Sequence, residues 1–135
     1  MFDLLPDIYF YIKDSNCRWV MCNTACLRLL NFRNQAEVYG ATDGDFYPPR
    51  IAEMIYQDDR DVIDNNRPII NRTELIVDET GHLTWVSTNK LPLLATDGAV
   101  AGLMGTTRVL SRSDQLPEDY QQFRSVIDYI QEHVD

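Results

Sequence analysis

The chain has 135 residues, room for one domain, with 44% hydrophobic and 24% charged residues, a globular balance rather than a disordered one. No stretch approaches the roughly 18 uninterrupted apolar residues of a membrane helix, and Met1–Asp14 lacks a basic segment ahead of an apolar core, so a cytoplasmic setting without a membrane is expected. Twelve basic residues against 21 acidic ones leave −9, a surface that repels phosphate backbones, so nucleic-acid binding by this chain alone is excluded.

Ile8 to Lys13 (IYFYIK) is aromatic and β-branched, a strand, and Cys17 to Cys22 is a second one across the Asp14-Ser15-Asn16 turn. Asn23 reads as the N-cap of a short helix that Asn31 ends, and one more turn, Gln35 to Tyr39, stops at Gly40. After Pro48-Pro49, residues 51–65 carry apolar side chains near helical spacing, with Asp59 interrupting the stripe. Three strands follow: Ile69 to Asp78, Leu83 to Leu91 and Val100 to Val109, joined by turns at Glu79-Thr80-Gly81 and Thr96-Asp97-Gly98. Pro92 suggests an edge or a bulge, and Gly102 with Gly105 implies that something packs close against that backbone. Polar and apolar residues mix on both faces, which suits a sheet covered on both sides. Residues 117–134 spell a helix whose stripe is Tyr120, Phe123, Ile127, Ile130 and Val134.

Cys17, Cys22 and Cys26 are an odd set without a signal peptide, which argues for a reducing compartment and against a disulfide framework. Their C-x4-C-x3-C spacing matches no zinc pattern, and His82 and His133 are remote, so the cysteines read as small buried apolar residues and no metal is expected. On a strand, Cys17 and Cys22 would leave opposite faces. Most carboxylates of Asp58-Asp59-Arg60-Asp61 and Asp64 should fan around a solvated helix face, and Thr42-Asp43-Gly44-Asp45 is too short for a calcium loop. No nucleophile triad or phosphate loop is spelled, so nothing argues for an enzyme.

The order strand–strand, short helices, longer helix, three strands is α+β. Leu5-Pro6-Asp7 before Ile8-Tyr9-Phe10, Lys13-Asp14 through Asn23-Thr24-Ala25-Cys26, Gly40-Ala41-Thr42-Asp43 with Asp45-Phe46-Tyr47-Pro48, and Gly81, Trp85, Leu91-Pro92-Leu93 and Gly98 to Arg108 together resemble the PAS domain family over about residues 4–112. The resemblance implies a PAS-like five-stranded antiparallel sheet with helices inserted between strands 2 and 3. A C-terminal amphipathic helix follows, so residues 1–112 form a sensory domain and 113–135 a linker or signalling helix. Val109-Leu110-Ser111 replaces the Asp-Ile-Thr that ends many PAS sheets. Asn16-Cys17-Arg18-Trp19 is superficially similar to the Asn-Cys-Arg-Phe of flavin photosensors, whose cysteine lies on a helix, whereas Cys17 falls in the first hairpin. Haem-binding relatives carry a His on the longer helix, and residues 51–65 have none, so no cofactor is assigned. Val126 to His133 resembles the first helix of AraC-type DNA-binding domains, which implies the sensory front of a transcription regulator.

By analogy with PAS relatives, Val86 and Thr88 point inward, and period two adds Lys90. Tyr9 and Tyr11, Glu74 and Ile76, and Thr107 follow on the other strands. Pairing across Gly81 sets Glu74 near Thr88. The expected ligand-binding cluster is therefore Tyr11, Glu74, Thr88 and Thr107, joined by Tyr56 from the long helix. The functional expectation is a module that binds a small ligand or partner, relays its state through the terminal helix and forms a homodimer through Leu75, Val77, Trp85 and the terminal stripe. The alternative is a ligand-free dimerisation module with a filled core.

Overall fold

The computed structural model describes residues 8–77 and 82–112; the expected helix at 117–134 and the Gly81 turn lie outside them. Five strands, β1 (Ile8–Asp14), β2 (Trp19–Cys22), β3 (Ile69–Val77), β4 (Leu83–Leu94) and β5 (Val100–Arg112), form one antiparallel sheet in the order β2-β1-β5-β4-β3. Between β2 and β3 the chain inserts α1 (Thr24–Leu29), α2 (Gln35–Val38), a 3-10 turn (Asp43–Asp45) and α3 (Pro49–Asn65).

Asn23 explains why β2 gives way to α1 where it does. Its side-chain oxygen accepts from the Cys26 N–H at 3.1 Å, capping the helix, and from the Phe10 N–H at 3.2 Å, while its amide nitrogen donates to the Ile8 carbonyl at 2.8 Å. One side chain thus starts α1 and ties it to β1. Asn31 (φ 61°) and Asn66 (φ 48°) end α1 and α3 in the left-handed region that Asn tolerates. Ala25, Cys26, Val38, Val62 and Ile63 of the helices pack with Tyr9, Tyr11, Trp19 and Leu103 into one core cluster.

Three local expectations change. Cys17 is not on a strand: it sits in the hairpin turn with φ 61°, and the left-handed turn swings it into the same core cluster as Cys22 rather than to the opposite face. All three thiols are free and buried. Glu74 pairs with Val86, and Thr88 with Arg72, so the β3–β4 register differs by two residues from pairing across Gly81. An even shift keeps every side chain on its expected face. Pro92 lies on an interior strand, yet past the last β3 partner, Ile69↔Lys90, where β4 is paired only to β5 and the register breaks at Leu93/Leu94.

The paired glycines of β5 behave as their spacing implies. A Cβ on Gly105 would meet the Tyr11 ring at 2.1 Å, and one on Gly102 the Lys13 carbonyl at 2.2 Å. Glycine here is what lets β1 and the Tyr11 ring lie flat against β5. Across the sheet from the helices, Leu75 (8% exposed) and Trp85 (6%) form a separate buried cluster with Leu83. Both belong to the surface expected to dimerise, and both are buried.

Candidate functional site

Strand alternation delivers the site. Tyr9, Tyr11 and Lys13 of β1, Glu74 and Ile76 of β3, Thr88 and Lys90 of β4 and Thr107 of β5 all line one cavity of about 130 Å³ on the helix side of the sheet. Cys26 of α1, Tyr47 ahead of α3 and Ile55 of α3 close it from the opposite side. Four of the residues singled out from sequence, Tyr11, Glu74, Thr88 and Thr107, meet here. Tyr56 does not. It is 43% exposed and lines a separate, larger groove of about 420 Å³ between the β1–β2 turn and α3, with Pro49, Ala52 and Glu53. The stripe of α3 that faces the sheet runs through Ile55, Asp59, Val62 and Ile63, and Tyr56 is turned about 100° away from Ile55.

Behind the cavity lies a charge network spanning four elements. The Lys13 ammonium, on a side chain only 1% exposed, donates to Asp59 Oδ2 at 2.5 Å and to Asp43 Oδ2 at 2.7 Å. Lys90 Nζ donates to the other Asp59 oxygen at 2.8 Å, and Trp19 Nε1 to Asp43 Oδ1 at 3.0 Å. Asp59 is fully buried, so both of its oxygens are spent on lysines. The Lys13 nitrogen also stands 5.4 Å and 5.2 Å from the Tyr11 and Trp19 ring centres. Burial alone would push the Lys13 ammonium down; Asp59 and Asp43 outweigh it and hold the group above its ordinary value.

Spare hydrogen-bonding capacity faces the cavity. An ammonium has three donors, and among the described residues Lys90 uses one, on Asp59. Burial pushes the Tyr11 and Tyr47 phenols far up, so both remain protonated and able to donate. The same burial raises Cys17, and the Cys22 contact with burial raises Cys26, which keeps these thiols from acting as nucleophiles. Among the described residues no three His, Cys, Asp or Glu side chains converge on a metal position.

Lys13, Asp43, Asp59, Trp19 and Tyr47 were not singled out from sequence. For Lys13 the signal exists, since period two from Tyr9 and Tyr11 reaches it. For Asp59 it is the break in the apolar stripe of α3. Nothing local marks Asp43 or Tyr47.

A family model for the PAS fold matches residues 2–115. The chain belongs to the PAS fold family. Among solved structures this PAS chain is similar to the Vibrio cholerae VqmA–ligand–DNA complex (23% identity, TM-score 0.70, covering 93% of this chain and 54% of that one). It is also similar to the V. cholerae VqmA dimer without target DNA (24%, TM-score 0.68, 76% and 46%). The PAS domain of a Colwellia psychrerythraea protein is a third likeness (16%, TM-score 0.61, 81% and 90%). The PAS chain thus spans about half the length of the VqmA structures it matches (54% and 46%). No curated protein sequence matches it. Among the described residues no helix is long and apolar enough to cross a membrane.

Proposed function

We propose that this chain is a sensory PAS module that binds a small ligand in the cavity under its sheet and relays the bound state toward an effector through residues 113–135. The observation that carries the reading is the convergence of Tyr11, Glu74, Thr88, Lys90 and Thr107 from four strands on one cavity of about 130 Å³. A small number of polar groups aimed into a partly apolar hollow is the form of a ligand site. A ligand-free dimerisation module calls for a filled core, so the cavity weighs against that alternative. The similar VqmA structures, a ligand–DNA complex and a dimer, support transcription regulation and a homodimer for the protein that contains this module.

The relay follows from Lys90. Its ammonium joins the cavity to Asp59, and through it to α3 and Lys13. A ligand seated against Lys90 alters the hold of β4 on α3, and β4 is paired along nearly its whole length with β5, which leads into residues 113–135. The ligand moves this balance only as far as it binds the two arrangements unequally.

A thermal-shift screen of small metabolites against the whole chain tests the reading. Hits should be weakened when Thr88→Leu fills the cavity and unaffected by Tyr56→Leu in the outer groove. Hits insensitive to Thr88→Leu, or lost with Tyr56→Leu, would place the binding elsewhere and end the cavity assignment.

A further inference from the structure

The charges around the cavity isolate one group. Lys13 and Lys90 are bonded to Asp43 and Asp59, all four are buried, and the quartet is neutral as a unit. Glu74, on the cavity wall from β3, adds a third carboxylate to those of Asp43 and Asp59. Among the described residues its carboxylate has neither a hydrogen bond nor an ion pair. Its neighbour in parity, Arg72, is committed to Asp58 at 2.7 Å. Two cations against three carboxylates leave one negative charge uncompensated, and it belongs to Glu74. The wall around it is aromatic, with Tyr9, Tyr11, Trp19 and Tyr47 lining the same space.

We propose that the ligand of this cavity is a small organic cation, a protonated amine of about benzene's size, whose N–H donates to Glu74. This rests on reading the cavity as the ligand site and adds the ligand's charge and size. The volume of about 130 Å³ is close to the roughly 150 Å³ that holds one benzene. Aromatic walls favour cations through the negative faces of their rings. A neutral guest leaves the carboxylate without a charged partner in a partly dry site, and an anion meets it with both lysines already neutralised. A carboxylate held only for structure would be expected to have a partner in the fold, as Asp43, Asp58 and Asp59 do.

Calorimetric titration of the whole chain at neutral pH with cyclohexylamine, cyclohexanol and cyclopentanecarboxylate separates the cases. The amine should bind about tenfold or more tighter than the alcohol, as a charge-assisted hydrogen bond requires, and the carboxylate weakest. Glu74→Gln should erase the amine's advantage over the alcohol; Glu74→Asp, which keeps the charge, should retain most of it. Tighter binding of the alcohol or the carboxylate, or an amine preference that survives Glu74→Gln, overturns the inference. If none of the three binds, the charge of the metabolite-screen hits decides. Neutral or anionic hits lost in Thr88→Leu sink the amine and leave the cavity reading standing; the absence of any cavity hit removes both.

Discussion

Asp59 sits in the middle of an acidic run whose other members face water, yet its own side chain is fully excluded from it. A lone buried carboxylate would cost several kcal/mol, so its burial depends on both lysines arriving. Removing the acid takes the Asp59 partner from both lysines and leaves Lys13 with Asp43. Asp59→Asn should therefore lower stability by about 3–5 kcal/mol in urea unfolding, the range for breaking a buried pair. Neutralising the whole set, Lys13→Met, Asp43→Asn, Asp59→Leu and Lys90→Met together, should recover most of that loss, because the desolvation of all four charges disappears with them. A network that merely decorates the core would give a small effect for the single change and a large one for the fourfold change.

At the level of elements, the helices are set by asparagines more than by intrinsic propensity. Asn23 serves three partners in two elements, whereas Asn34, at the start of α2, accepts only from the Glu37 N–H at 3.3 Å. Asn23→Ala should cost about 2–3 kcal/mol, a cap plus strand contacts left unsatisfied, against about 1 kcal/mol or less for Asn34→Ala. Equal losses in thermal unfolding would show that the Asn23 link to β1 contributes nothing beyond the cap. The same two-way use of a residue recurs at Gly105, which pairs β5 with both β1 and β4 while leaving room for the Tyr11 ring that lines the cavity.

For the molecule as a whole, burial sets the response to alkali. The folded chain holds the Tyr11 and Tyr47 phenols and the Lys13 ammonium protonated beyond their ordinary range. Above about pH 10 the unfolded chain releases those protons while the folded one keeps them, so stability must fall as pH rises. Below that range these groups are protonated in both states and add no pH dependence. Urea midpoints from these groups should be flat between about pH 7 and 9 and drop beyond about pH 10; a rise there would contradict the burial of the phenols.

The faces of the strands were legible in the sequence because alternation is local: Tyr9, Tyr11, Glu74, Ile76, Thr88, Lys90 and Thr107 needed only period two and a family likeness to be set on the cavity side. Asn23, Asn31 and Gly40 marked helix ends for equally local reasons. Tyr56 went astray because one helical step separates the cavity face from the outer groove, and an apolar stripe broken by Asp59 does not say which side faces the sheet. Cys17 did so because a left-handed turn residue reads like a strand residue in composition. The quartet of Lys13, Asp43, Asp59 and Lys90 was decided by tertiary structure alone. Its contacts join residues 30, 31 and 46 positions apart, and a buried ion is stable only where the fold brings its counter-ion, which no window of sequence encodes.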